Sequence, residues 1–248
     1  MEKVVVITGS CGDIGSSLVQ EYLDDKFFVI GIDKKIKGTK MENFIEIEAD
    51  LLSFVEDDDY QKEIIRKIRN NLKDNVKKLI IINNAALQIV KNISEITWSD
   101  WNESLSVNTI APFFLTTGLL DHLIKSNGHV INISSIHSNL TKRDFSVYAA
   151  SKSALDSITR SMALELSSYG ISVNAISPAA IKTKMLLSGF NSLEDLKQLE
   201  DYHPAGKIAL PAELASFVKS ITDLKGNFLT GSIIDFNGGI GAKLHDPS

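Results

Sequence analysis

The sequence is poor in cysteine and carries no surplus of positive charge. Cys11 is the single cysteine, which excludes an internal disulfide and any metal site built from several cysteine ligands. The 26 lysines and arginines are outnumbered by 31 aspartates and glutamates, giving a net charge of -5 at pH 7. No basic excess is left to neutralise the phosphates of nucleic acid or of anionic lipid. We expect a small-molecule partner, with no nucleic acid, membrane or metal.

Long apolar runs are absent as well. No apolar stretch approaches the roughly 20 residues that span a bilayer, and a strand pattern begins at Val4 without the basic and apolar regions of a signal peptide. We therefore expect a cytoplasmic protein. Because no repeat, low-complexity tract or Pro/Gly-rich linker interrupts the chain, residues 1–248 are expected to form one domain.

Short β-branched segments alternate with longer helical patterns. Most of the short segments are continuously apolar, as expected for parallel strands that are covered by helices on both faces. The sequence therefore predicts an α/β doubly wound Rossmann fold, with a seven-stranded, mostly parallel sheet and helices on both faces. The predicted strands are 4–8, 27–32, 44–48, 78–82, 129–134, 171–176 and 232–236.

Two segments between the strands carry specific predictions. Residues 60–72 place four apolar side chains at spacings of three and four, which predicts a helix with one stripe against the sheet. Residues 184–203 fall outside the alternation of strands and helices and are only weakly helical from 192 to 200. We expect this segment, extended to 206, to be a mobile lid over the substrate.

A glycine-rich turn follows the first predicted strand. Its sequence, Thr8-Gly9-Ser10-Cys11-Gly12-Asp13-Ile14-Gly15, leads directly into a helical pattern. Glycines there let the backbone approach a pyrophosphate closely, and a helix N-terminus offers free N–H groups and positive partial charge. The turn predicts a dinucleotide site, although an ordinary strand-to-helix turn is also rich in glycine.

Acidic residues end the next two predicted strands. Asp33 stands eighteen residues after Gly15, where a carboxylate accepts hydrogen bonds from the adenosine ribose diol. A 2'-phosphate would meet like charge there, which favours NAD over NADP, although Lys34 and Lys35 partly offset the repulsion. Asp50 is a candidate for the adenine site, with a helix cap as the alternative.

Tyr148 and Lys152 form a candidate acid/base pair. They lie four residues apart in a helical pattern, so both side chains stand on one helix face. A tyrosine with an ordinary pKa of about 10 is a poor base at neutral pH, and a nearby ammonium favours its phenolate. An ordinary helix surface is the alternative for any such pair taken alone.

Three segments together resemble the short-chain dehydrogenase/reductase family. They are the glycine turn, Asn83-Asn84-Ala85-Ala86 and Tyr148-Ala149-Ala150-Ser151-Lys152. The resemblance implies that Ser135 orients the substrate oxygen, that Tyr148 exchanges its proton, and that Lys152 lowers the pKa of the tyrosine and binds the nicotinamide ribose. It implies that Asn108 is the asparagine whose backbone holds a water linking the lysine to solvent.

The same resemblance implies which residues bind NAD. They are Gly9, Gly12, Asp13, Ile14, Gly15, Asp33, Asp50, Leu51, Asn84, Ala85, Tyr148, Lys152, Pro178, Ile181 and Thr183. Four positions depart from the commonest family pattern: Asp13, Ala86 and Ala179 replace glycines, and Asn237 replaces an aspartate. The glycine spacing itself resembles the subgroup that modifies nucleotide sugars.

The predicted function is NAD-dependent hydride transfer between nicotinamide and a secondary alcohol or ketone. A second hypothesis is a non-catalytic protein that binds or senses the dinucleotide, and a third is a nucleotide-sugar epimerase or dehydratase. The set Asn108, Ser135, Tyr148 and Lys152 favours an enzyme, because binding alone has no need of all four. The chain is short for the C-terminal substrate domain of the nucleotide-sugar subgroup.

The family pattern also suggests pocket residues and an oligomer. The candidates for the substrate pocket are Gln88, His137, Asn139, Arg143 and Phe145, a mostly polar set that favours a sugar or hydroxy acid. His137 and Arg143 have a surface loop as their alternative. We expect a homotetramer or dimer, because the family pairs the helices that here cover 101–124 and 148–166.

Overall fold

Seven parallel strands form one sheet in the computed structural model, which describes residues 3–73, 75–190 and 192–243. The strand order is β3-β2-β1-β4-β5-β6-β7, and every pairing is parallel. The predicted strands are all present, with ends displaced by no more than two residues. They are β1 (Lys3–Thr8), β2 (Phe28–Asp33), β3 (Phe44–Glu48), β4 (Lys78–Asn83), β5 (His129–Ile133), β6 (Ser172–Pro178) and β7 (Ile233–Phe236).

Helices connect the strands and cover both faces of the sheet, which confirms the predicted α/β Rossmann architecture. They are α1 (Asp13–Asp24), α2 (Leu51–Glu56), α3 (Asp58–Arg69), α4 (Trp98–Leu105), α5 (Ala111–Gly118), α6 (Leu120–Ser126), α7 (Ser146–Leu166), α8 (Lys184–Leu187), α9 (Leu193–Tyr202) and α10 (Pro211–Thr222). Short 3-10 turns lie between several of them.

The two faces of the sheet carry separate apolar clusters. In β1, Val4 and Val6 pack in one cluster, while Val5 and Ile7 pack in the other. Helices α1 and α10 contribute to the cluster of Val5, and α3, α5 and α7 contribute to that of Val4. Because both faces are buried, the successive residues of β1 from Val4 to Ile7 are all apolar.

Helix α3 follows the apolar stripe expected for residues 60–72. Ile64 and Ile68 are buried in the core, and Ile65 packs against it. Asp57 caps the helix by accepting hydrogen bonds from the N–H groups of residues 59 and 60. The helix ends at Arg69, three residues before the predicted end, but Leu72 is still buried.

The helix expected over 101–124 is divided into three parts. A π-helical turn, Ser106–Ile110, separates α4 from α5, and a break at Leu119 separates α5 from α6. Pro112 explains the first irregularity. Proline has no N–H group, so the carbonyl of Asn108 lacks the donor that a regular helix would supply four residues later.

The site is positioned by the order of the strands. From β1 the chain proceeds outward through β2 to β3, and then returns to place β4 on the other side of β1. Such a switch point leaves a crevice at the carboxyl ends of the strands, where ligands of doubly wound proteins bind.

Two observations concern metal binding and membrane-spanning helices. Within the described ranges, no group of three or more His, Cys, Asp or Glu side chains could hold a metal ion. None of the helices in that part of the chain has both the length and the apolar character needed to cross a bilayer.

Candidate active site

A cleft of about 1380 Å³ opens at the carboxyl ends of the strands. All fifteen residues expected to bind the cofactor line it, from the glycine turn at one wall to Pro178, Ile181 and Thr183 at another. Ser135 lines the cleft as well. Asn108 is buried behind the wall rather than on it.

The glycine turn is built for close backbone approach. Gly9 adopts a positive φ of 66°, and a Cβ atom at Gly15 would lie 1.9 Å from the carbonyl oxygen of Gly9. Gly12 begins α1 without any side-chain cap, so the first N–H groups of the helix remain available to a phosphate. These features fit the pyrophosphate of a dinucleotide.

Asp13 occupies the position where the commonest family pattern has glycine. Its Oδ2 atom accepts a hydrogen bond from the backbone N–H of Lys184, at 2.5 Å. Lys184 is the first residue of α8, which Thr183 caps by accepting a hydrogen bond from the N–H of Leu186. The carboxylate thus connects the glycine turn to the segment expected to form the lid.

Carboxylates surround the expected adenosine end of the cleft. Asp33 accepts a hydrogen bond from the N–H of Cys11 at 2.9 Å. Asp50 caps α2 and also pairs with Lys34, at 2.8 Å. Burial, followed by the charge of Asp33, raises the pKa of the Cys11 thiol, so the thiol stays protonated and unreactive.

Glu46 is a second carboxylate near the glycine turn that the sequence did not reveal. It lies on β3, and its Oε1 atom is 3.6 Å from the Sγ atom of Cys11. It also accepts hydrogen bonds from the N–H groups of Lys37 and Thr39. Glu46 pairs with Gly31 in the register of β2 and β3. The sequence alone carries no signal for this position, because it depends on how the strands pair.

Tyr148 and Lys152 meet on the face of α7 that points to the cleft. Both are buried, with exposed fractions of 8% and 1%. The Nζ atom of Lys152 donates a hydrogen bond to the carbonyl of Ile133 at 2.7 Å and lies 5.9 Å from the centroid of the Tyr148 ring. The sequence spacing therefore does bring the two groups to one site.

Burial shifts both ionisable groups of the pair toward their neutral forms. It raises the pKa of Tyr148 to about 12, which a hydrogen bond with Ser135 opposes. It lowers the pKa of Lys152 to about 8, which the charge of Asp156 opposes. Because Lys152 still titrates above neutrality, its ammonium is the main form at pH 7 and favours the phenolate of Tyr148.

Asn108 holds the loop after β4 against α7. Its side-chain Oδ1 atom accepts a hydrogen bond from the N–H of Leu87 at 2.7 Å, and its Nδ2 atom donates to the carbonyl of Leu87 and to the hydroxyl of Ser151. The side chain is fully engaged by these contacts. The backbone carbonyl, which receives no N–H from Pro112, is therefore the group left for the water-binding role that the resemblance implies.

The substrate end contains an aromatic group built around His137. The imidazole stacks on Phe145 at a centroid distance of 4.4 Å and meets the edge of Tyr148 at 5.9 Å. Burial, followed by the charge of Lys142, lowers the pKa of His137 to about 4, so the ring is neutral at pH 7. Its Nδ1 atom bonds to Thr141 at 3.1 Å, which leaves Nε2 for a ligand.

The expected pocket residues divide into two groups. Gln88 and His137 line the cleft, whereas Asn139, Arg143 and Phe145 are absent from its wall. Residues 140–142 line it instead. Phe145 stacks on the imidazole ring of His137 instead of lining the cleft itself.

The segment 184–203 forms another wall of the cleft. It contains the two helices α8 and α9, so it has more regular structure than its weak pattern predicted, and Asn191 lies outside the described residues. Lining residues from it are Lys184, Met185, Leu186, Phe190, Leu199, Tyr202 and His203.

Comparison with known proteins agrees with this geometry. A family model described as short chain dehydrogenase matches residues 3–192. An uncharacterized oxidoreductase from Thermotoga maritima is 29% identical over 98% of this chain and 97% of its own length. An NAD-dependent glycerol dehydrogenase from Listeria innocua is 26% identical over 98% and 95% of the two chains.

A solved structure extends the comparison to a bound cofactor. The structure described as ElxO with NADP bound superposes with a TM-score of 0.86 at 25% identity, covering 98% of this chain and 100% of that one. The resemblance noted in the sequence is therefore confirmed: the chain belongs to the short-chain dehydrogenase family and is an oxidoreductase with a site for an NAD-type cofactor.

Proposed function

We propose that this enzyme uses NAD to interconvert a secondary alcohol and a ketone on a small hydroxylated substrate. One observation carries the proposal: Ser135, Tyr148 and Lys152 converge on one cleft that also contains a glycine turn and Asp33. A protein that only binds the dinucleotide has no need of a buried tyrosine and ammonium beside the substrate end.

The roles of the three side chains follow from their contacts. Ser135 accepts a hydrogen bond from the N–H of His137, so its own proton is free to be donated to the substrate oxygen or to Tyr148. Tyr148 takes the hydroxyl proton of an alcohol, or gives a proton to a ketone. Lys152 stabilises the phenolate through its positive charge.

Pro178, Ile181 and Thr183, which line one wall of the cleft, would hold the nicotinamide of NAD, and the bound cofactor would supply the hydride acceptor. The chain itself orients the substrate carbon and manages the proton. Proton transfer through positioned side chains of this kind contributes about 100-fold to 10,000-fold in rate.

The preference for NAD rests on charge near the ribose site. Asp33 and Glu46 are two carboxylates close to Cys11, and Lys34 is occupied by Asp50. A 2'-phosphate would be repelled by both carboxylates, and with Lys34 paired, Lys35, which also lines the cleft, would offset only part of the repulsion. The related glycerol dehydrogenase carries an NAD-dependent name.

The polar groups at the substrate end support a hydroxylated substrate. Gln88 and Thr141 offer hydrogen bonds, and His137, whose Nδ1 atom is engaged by Thr141, lines the same space with its Nε2 atom left for a ligand. Hydroxyl groups of a sugar or hydroxy acid match such neutral partners. Measuring NADH formation across a panel of polyols, sugars and hydroxy acids tests the proposal, and no activity with any of them, in either direction, would overturn it.

Three further proposals concern the whole chain. Residues 1–248 form one domain in which 184–206 is a lid over the substrate, because α8 and α9 line the cleft. The enzyme is a homotetramer or dimer, since Leu164 on α7 is 82% exposed and Phe113 and Phe114 on α5 are more than one-third exposed. The cytoplasm is its compartment, because its lone thiol needs no oxidising environment.

A further inference from the structure

A buried carboxylate lies one helical turn after Lys152. Asp156 follows it by four residues in α7, so the two side chains share a helix face. The residue is only 6% exposed, and its Oδ1 atom is buried without a hydrogen-bond partner in the described part of the chain. A carboxylate in such a place is costly unless a positive charge compensates for the lost water.

Of the two cations that lie four residues from Asp156 on α7, Lys152 is buried and Arg160 is exposed. Lys152 is 1% exposed, and the hydrogen bond to the carbonyl of Ile133 satisfies one of three donors but neutralises no charge. The carboxylate of Asp156 raises the pKa of Lys152 against the larger effect of burial. Asp156 therefore lowers the cost of burying the ammonium of Lys152.

The elements packed against this part of α7 offer no equivalent counter-charge in the described ranges. β5, β6 and the π turn contain no acidic residue, and the 3-10 turn after β5 contributes only His137. On α4, Asp100 pairs with Lys91, and Glu103 acts on Lys34 at the adenosine end. Asp156 is thus the carboxylate that acts on the lysine.

We propose that Asp156 is a positioning residue that keeps the ammonium of Lys152 charged inside the site. The inference rests on the proposed roles of Tyr148 and Lys152. After the pair has lost one proton, the other proton resides on either group, and alcohol oxidation needs it on Lys152 with Tyr148 as phenolate. Asp156 is one turn from Lys152 and two from Tyr148, so its negative charge favours that arrangement.

The pH dependence of Asp156→Asn distinguishes this role from simple packing. At acid pH, Lys152 is protonated in both proteins, so kcat/KM for alcohol oxidation should be nearly equal. As pH rises past the lowered pKa of Lys152 in the variant, the lysine loses its proton to solvent while Tyr148 keeps its own, and the deficit grows, by about tenfold for each unit of pKa lost. Asp156→Glu should restore the wild-type profile. A deficit equal at every pH, or none at all, overturns the proposal.

Lysine protonation can also be read without turnover. Acetic anhydride acetylates only neutral amines, so the pH midpoint for acetylation of Lys152, followed by mass spectrometry, should fall in Asp156→Asn. The matched control is Glu165→Gln, which removes one negative charge from an exposed position on the same helix and should leave the midpoint unchanged. If Asp156→Asn folds poorly, Asp156→Leu serves in its place. It replaces the carboxylate with an apolar group and should lower the acetylation midpoint in the same way.

The two readouts separate the possible failures. A lowered acetylation midpoint in a protein that oxidises no alcohol would reject the proposed function and retain the charge role of Asp156. An unchanged midpoint in an active enzyme would reject the role of Asp156 and retain the proposed function.

Discussion

Replacing Asp33 with alanine tests the preference for NAD in quantitative terms. The carboxylate is held at the end of β2 by the N–H of Cys11 and lines the cleft where the ribose is expected. A hydrogen bond to a charged group contributes about 1.5 to 3 kcal/mol. Loss of the ribose contacts should therefore weaken NAD binding at least about tenfold, which is about 1.4 kcal/mol.

The effect on NADP has the opposite sign. Two like unit charges about 5 Å apart repel each other by about 3 kcal/mol at an effective dielectric constant of about 20. Asp33→Ala removes this repulsion between the carboxylate and the 2'-phosphate, so NADP should bind more tightly. Glu46 remains close to Cys11, so the gain in NADP affinity should be partial in the single variant. It should be larger when Asp33→Ala is combined with Glu46→Gln.

Titration of both cofactors by intrinsic fluorescence supplies the measurement. The wild-type enzyme should bind NAD at least about tenfold more tightly than NADP, and Asp33→Ala should narrow that ratio. Asp59→Ala is a matched control, because it removes a carboxylate from an exposed position on α3 and should leave the ratio unchanged. Equal affinities of the wild-type enzyme for the two cofactors would refute the reasoning.

Three other outcomes are expected. Tyr148→Phe should abolish turnover while NAD binds nearly as before, because it removes only the exchangeable proton; substantial turnover by the folded variant would contradict the role of Tyr148. Amides of residues 184–203 should exchange hydrogen more slowly once NAD and substrate are bound, and equal exchange in all states would remove the lid. Light scattering after size-exclusion chromatography should give a mass near four chains, or two, and a species of 27.2 kDa at micromolar concentration would refute the oligomer.

The strands could be read from the sequence because local composition determined them. Runs such as Val4 to Ile7 are apolar at every position and β-branched, as suits a parallel strand buried on both faces. The order of the glycine turn, Ser135 and Tyr148 along the chain likewise placed the site, since the carboxyl ends of parallel strands meet at one edge.

One missed feature depends on a contact between distant segments, and two lie in irregular local structure. Glu46 reaches the glycine turn only because β3 pairs with β2 beside β1. Lys142 lies 4.6 Å from the centroid of the Phe145 ring, a contact that no hydrophobic periodicity in the sequence predicts. The π turn at 106–110 had a local signal in Pro112, but the apolar pattern around it is that of a continuous helix.

The hydrogen bond between Asp13 and the N–H of Lys184 has a consequence for how the affinities of cofactor and substrate depend on each other. A pyrophosphate at the N-terminus of α1 would bring negative charge beside the Asp13 carboxylate, so occupancy of the turn and the position of α8 are thermodynamically linked. Such linkage is reciprocal: the factor by which the cofactor changes substrate affinity equals the factor by which substrate changes cofactor affinity. We therefore expect NAD and substrate to change each other's binding affinity by one common factor, and we expect that factor to move toward one in Asp13→Gly, as measured by titrating each ligand with and without the other.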